Sequence, residues 1–145
     1  MNATMDAKVV WSQGLSFTGS AAGSGFSLPL GADPKVGGAN DGFRPLELLL
    51  VGLAGCTAMD VISILSKKRK EVTSFEVRAH ADTAAEHPRV YTRVILEYVL
   101  EGKDLDRESV QRAVELSENK YCPAQAMLRK ATPIETRITI NGETG

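Results

Sequence analysis

The chain has 145 residues, enough for about one ordinary domain with its own core. With 43% apolar and 24% charged residues its composition excludes global disorder. A formal net charge of −1 gives no electrostatic case for nucleic acid or an anionic membrane surface as a partner.

The first ten residues contain Asn2, Asp6 and Lys8 and no apolar run of the signal-peptide kind. The longest apolar stretch, Leu46 to Ala54, is interrupted by Glu47 and reads as too short to span a bilayer. A soluble cytoplasmic protein without a membrane partner is expected, and in that compartment its two cysteines should rest as thiols.

Residues 7–30 read as short strands joined by small-residue turns. Val9 with Trp11, Leu15 with Phe17 and Phe26 with Leu28 show two-residue spacing, punctuated by Gly14, Gly19, Gly23 and Gly25. Residues 31–43 form a loop rich in Gly, Asp, Asn and Pro. Pro45 then opens a helix running to about Lys68, because proline suits a first helical position. That helix is apolar on nearly every face and is expected to be buried all round. Gly52 and Gly55 cost it about 1 kcal/mol each in propensity. With Ala58 they would let another backbone approach, such as a symmetry-related helix.

Two strands follow. Phe75, Val77, Ala79 and Ala81 alternate with polar residues, as do Val90, Thr92, Val94, Leu96, Tyr98 and Leu100, and the turn between them implies a hairpin. A second helix starts near Asp106, a good N-cap, with Leu105 and Val110 placed as a hydrophobic staple. Val110, Ala113, Val114 and Ser117 line one side of it. Cys122-Pro123 begins a short third helix, and Ile134, Thr136, Ile138 and Ile140 alternate in a last strand. The order βββ-α-ββ-αα-β predicts an α+β fold in a single domain over residues 1–145.

Chemistry can reside in few places. Cys56 lies mid-helix, where a small core hydrophobe is the bland alternative. Nothing in its own helix favours a thiolate, and Asp60, one turn on, would oppose one if its carboxylate faced the sulfur. Cys122 is expected at a helix N-cap, where free N–H groups and the dipole favour the thiolate, with Lys120 adding positive charge. A helix-boundary residue without chemistry is its bland alternative. The two do not form a CxxC motif, so they can meet only through the fold. His80 and His87 read as solvated surface residues. No Cys, His and carboxylate cluster has metal-ligand spacing, and VGGANDG is not a phosphate loop, so neither metal nor cofactor is expected.

At RPLELLLVGLAGCTAMDVISIL and again at KYCPAQAML the chain resembles the OsmC/Ohr-like family of osmotically inducible and organic hydroperoxide resistance proteins. The first segment carries a Pro followed after eleven residues by a Cys; the second carries the family's second Cys at the start of a short helix. The branch it resembles is a less-characterised one. The resemblance implies antiparallel sheets around a long buried central helix, in an intertwined homodimer with active sites at the subunit interface. It implies a thiol peroxidase in which Cys56 attacks a hydroperoxide and Cys122 resolves the sulfenic acid, with a small dithiol or lipoyl-type reductant as partner. In the family an N-terminal Arg and a Glu directly after the Pro hold the thiolate. Here residues 1–43 contain no Arg and Leu46 follows Pro45, which leaves Arg44, Glu47 and Lys120 as candidates for stabilising it.

Two alternatives stand beside that reading. The same dimeric fold could bind a small apolar molecule against Leu49, Leu53, Met59 and Met127, or act as a redox sensor, without catalysis. Thiol transfer or hydrolysis at Cys122 is weaker, because no His is placed by sequence to serve as its base.

Overall fold

The structure, a computed structural model, describes residues 3–145. The chain resolves into two compact units, one ending at Leu49 and one running from Leu50 to Gly145.

The N-terminal unit holds an antiparallel sheet in the order β1 (Ala7–Gln13), β2 (Ser16–Ala21), β3 (Ser27–Leu30). Gly14, at φ 53°, takes the left-handed conformation that the β1–β2 turn requires. All of β1 is exposed in the single chain, Trp11 included. The 31–43 loop contains one 3₁₀ turn, Pro34–Val36, capped by Asp33. It folds back tightly on its own unit. A Cβ on Gly42 would come within 2.6 Å of the Pro29 carbonyl carbon, and Ser16 donates to Asp41 at 2.6 Å.

Helix α1 spans Pro45–Lys67. As one continuous 23-residue helix with a mean hydropathy of 2.1 in its most apolar window, it is long and apolar enough to span a bilayer. The shorter apolar stretch read from sequence understates it. One stripe of it packs in the core: Leu53, Thr57, Val61 and Leu65, four residues apart, are buried. The expectation of burial all round does not hold within one chain, because Leu49, Val51 and Met59 stay exposed.

In the C-terminal unit that stripe packs on a four-stranded sheet ordered β4 (Ser74–Thr83), β5 (Tyr91–Glu101), β6 (Ile134–Ile140), β7 (Glu143–Thr144). The hairpin β4–β5 is antiparallel as expected, with Phe75 facing Leu100 and Val77 facing Tyr98. The alternation of β5 buries Val94, Leu96, Tyr98 and Leu100, while Val90, just before the strand, and Thr92, in its second position, stay exposed. Sheets that are antiparallel throughout are not what the chain forms, since β5 and β6 pair in parallel. The reason is the connection. Helices α2 (Arg107–Leu116) and α3 (Pro123–Leu128) carry the chain back to the end where β5 began, as a parallel pair demands. Asp106 caps α2 by accepting from the Ser109 N–H at 2.9 Å, and Val110, Ala113, Val114 and Ser117 form its buried side. A single π-helical turn, Ser117–Tyr121, joins α2 to Cys122.

Candidate functional site

Cys122 sits where the sequence puts it, at the N-cap of α3, and its Sγ accepts from the Gln125 N–H at 3.4 Å. Only 3% of the residue is exposed. Cys56, in α1, is half-buried, and the fold brings it close enough to Cys122 for its sulfur to influence the other's ionisation. The thiols are therefore together and free, not bridged.

The expected cap effect on Cys122 is overturned. Burial dominates and pushes its thiol up to about 11, and a charge on Cys56 would push the same way. The N–H groups of Gln125 and Ala124 pull in the opposite direction, and lose. At neutral pH Cys122 is a thiol, not a thiolate.

The remaining sequence candidates are held by local partners. The Arg44 guanidinium donates to the Gly42 carbonyl at 3.0 Å and to Asn40 Oδ1 at 2.7 Å. Glu47 accepts from the Arg44 backbone N–H at 2.9 Å, closing the first turn of α1. Lys120 is exposed, its Nζ 5.2 Å from the ring centroid of Tyr121. His80 is exposed and hydrogen-bonded to Asp82.

Beside the cysteines lies a buried polar network that the sequence did not announce. Thr57, Tyr98, Ser117 and Gln125 have no exposed surface, yet each is hydrogen-bonded. Counting donors and acceptors fixes every direction. Ser117 donates to Asp60 Oδ2 at 2.8 Å, so it accepts from the Thr57 hydroxyl, also at 2.8 Å. With that proton spent, Thr57 accepts from the Tyr98 hydroxyl at 2.8 Å. The Gln125 amide nitrogen then donates to Thr57 at 3.1 Å and to Tyr98 at 3.4 Å. Its oxygen accepts from Arg129 at 2.7 Å. The result is a directed chain from a guanidinium to a carboxylate in which every side-chain donor of the four buried residues is used. Asp60 faces Ser117 in this chain. Tyr98 is pushed up to about 12, first by burial.

A signal for these residues was present. Thr57 interrupts the stripe Leu53, Val61, Leu65; Tyr98 interrupts Val94, Leu96, Leu100; Ser117 ends Val110, Ala113, Val114. A polar residue at the buried phase of an apolar repeat must have a partner, and three of them on three elements point to one another. Gln125, in a six-residue helix, has no such period to betray it.

Among the described residues no group of Cys, His and carboxylates is arranged to hold a metal ion.

The sequence pattern of OsmC, described as "OsmC-like protein", matches residues 38–137, which is more than half of the chain and includes both cysteines. The chain belongs to the OsmC-like protein family. Protein YhfA of Escherichia coli is 38% identical over 130 residues, covering 90% of this chain and 93% of that protein. Among solved structures, a hypothetical protein from Aquifex aeolicus superposes with a TM-score of 0.85 at 27% identity, over 97% of this chain and 98% of that one. An organic hydroperoxide resistance protein from Elizabethkingia anophelis superposes with a TM-score of 0.73 at 17% identity, over 97% and 99% of the two chains. At that identity the likeness shows the shared fold.

Proposed function

We propose that this OsmC-like protein is a thiol-dependent peroxidase for organic hydroperoxides or hydrogen peroxide, with Cys56 attacking and Cys122 resolving. The observation that carries the reading is the nearness of two free thiols from different elements, one half-buried and the other 3% exposed. The more accessible sulfur is the one a peroxide can reach. Its thiolate attacks the O–O bond, takes one oxygen as sulfenic acid and releases the alcohol once the leaving oxygen is protonated. The Cys122 thiol then displaces that hydroxyl, giving water and a Cys56–Cys122 disulfide. A small dithiol or lipoyl-type reductant supplies two electrons and two protons to restore both thiols. The fold shared with a protein named for organic hydroperoxide resistance supports the substrate class.

The rest of the reading follows from the same chemistry. The working unit is a homodimer of one OsmC-like domain per chain, supported by the exposed apolar face of α1 and by Gly52 and Gly55, where an added Cβ meets nothing within 4 Å. Resting thiols suit the reducing cytoplasm. Lys120, beside Cys122 in sequence, and Arg44 with Glu47 are the charged groups proposed to tune the thiolate.

The test is a thiol titration of the reduced protein before and after one equivalent of cumene hydroperoxide, with the product mass recorded. Rapid loss of both thiols with a Cys56–Cys122 disulfide is expected. In Cys122→Ser one stoichiometric oxidation remains, and in Cys56→Ser none. Both thiols surviving for minutes would sink the peroxidase reading.

One observation favours a second reading, apolar ligand binding. The N-terminal unit has a concave apolar face of about 450 Å³ lined by Val9, Gly19, Phe26, Leu28, Leu30 and Leu48. A retained apolar molecule in native mass spectra, with unreactive thiols, would put that reading first.

A further inference from the structure

Two sulfurs on separate helices form a bond only if the helices are held at one height and one rotation. Apolar packing alone is a weak ruler for this, because Leu53, Val61 and Leu65 can slide against other aliphatic chains at modest cost. The polar network supplies a sharper constraint. Thr57 adjoins Cys56 in sequence, and the Gln125 N–H holds Cys122 Sγ at 3.4 Å. The side chains of Thr57 and Gln125 are themselves bonded at 3.1 Å. Thr57 also bonds Tyr98 of β5 and Ser117 of the π turn, so α1 is pinned from three elements at the residue after its cysteine. Arg129 fixes the Gln125 amide from outside. Moving either helix would strip partners from groups with no access to water.

We propose that Thr57 and Gln125 are positioning residues, a buried hydrogen-bonded clamp that sets the effective concentration of the Cys56 sulfur at Cys122 and so the redox potential of the pair. The clamp rests on Cys56 and Cys122 being a working pair, but not on a peroxide being their oxidant. It depends on the hydroxyl of Thr57 and the amide of Gln125, and on neither sulfur's ionisation.

The test measures that potential directly with a dithiol buffer. The protein is equilibrated with oxidised and reduced dithiothreitol at fixed pH, acid-quenched and alkylated, and the disulfide fraction is read by mass. In this exchange Cys56 and Cys122 give two electrons and two protons to the cyclic disulfide, which opens to the dithiol as their own S–S bond forms. Thr57→Val keeps the shape and removes the hydroxyl. It should lower the equilibrium constant for the protein disulfide about tenfold, moving the potential about 30 mV less negative. Thr57→Ser, which keeps the hydroxyl, should restore it to within about twofold of the parent. Arg129→Ala alters a side chain that is 40% exposed and should fold whatever becomes of Thr57→Val; it should shift the potential less, in the same direction. Val110→Ala, a core truncation in α2 outside the network, should lower Tm and leave the potential unmoved.

Parental potentials in both Thr57→Val and Arg129→Ala would overturn the clamp, as would a potential that simply followed Tm through Val110→Ala. If Thr57→Val does not fold, Arg129→Ala decides. Cumene hydroperoxide separates the two proposals. Shifted potentials in a protein whose thiols ignore the peroxide uphold the clamp and remove the peroxidase. Peroxide-driven disulfide formation with unshifted potentials does the reverse.

Discussion

At the scale of single residues, Cys122 shows two opposed effects with a clear winner. An N-cap supplies N–H donors that favour a thiolate, but a short cap cannot repay the burial of a charge on a residue 3% exposed. With the thiol pushed up to about 11, its thiolate fraction rises about tenfold per pH unit throughout the neutral range. Under the two-thiol mechanism the disulfide-forming step should therefore accelerate with pH between about 6 and 9. Rapid-quench mass spectrometry after one equivalent of peroxide would separate the sulfenic acid from the disulfide; a resolving step flat in pH would contradict the assignment. The same shifts bear on stability. Cys122 goes from 9.0 to about 11 on folding and Tyr98 from 10.0 to about 12, both upward and both chiefly through burial. Groups raised in this way stabilise the fold fully below their unfolded values and lose that contribution as pH climbs through the folded ones. The urea midpoint should hold near neutrality and fall from about pH 9 upward. Cys122→Ser, which removes one of the two groups, should fall less steeply over the same range.

Individual elements are legible in proportion to how local their causes are. Asp106 is an example: the side chain that caps α2 can be read from its place before the helix. The sequence does not disclose that Lys70 reaches it at 2.8 Å from beyond the end of α1. Bonds from Lys70 first and Ser109 second hold its carboxyl well below the usual carboxylate range. That contribution is present above the unfolded value of 3.8 and is lost as pH falls below it. Asp106→Ala should cost about 0.5–2 kcal/mol as a lost cap at neutral pH, and Asp106→Asn less, because the amide oxygen still caps. Urea denaturation at pH 7 checks both, and equal costs would mean that charge, not capping, dominates. Strand phase was equally readable, since two-residue alternation fixes which side of β5 faces the core. The partners of β5 were not readable. Val94 pairs with Ile134 across two intervening helices, and nothing within either strand distinguishes a parallel neighbour from an antiparallel one. Thr57 meets Ser117 over 60 positions and Gln125 over 68. Such contacts belong to the packed core and leave only an indirect trace, a polar residue at a buried phase.

At the scale of the whole molecule the unresolved tension lies in α1. The helix is apolar round its circumference, yet one chain buries a single stripe of it. Val51 and Met59 are 56% and 73% exposed, while Gly52 and Gly55 offer open space beside them. Stable single chains rarely leave an apolar face of this kind uncovered. A second copy is the partner that the small residues suit, since missing side chains let two helices approach closely. The expected result is a particle of twice the chain mass by light scattering across the micromolar range. Met59→Lys together with Val51→Lys should yield a monomer, because both positions lie outside the buried stripe and charges there cost little within one chain but much in a dry interface. Cys56 and Cys122 lie within one C-terminal unit, so a folded monomeric variant should still form that disulfide with diamide. Peroxide turnover is the sharper readout. If the site is completed by the second copy, turnover falls with dimerisation while diamide oxidation persists. If the monomer turns over as well as the parent, the second copy serves only to cover the helix.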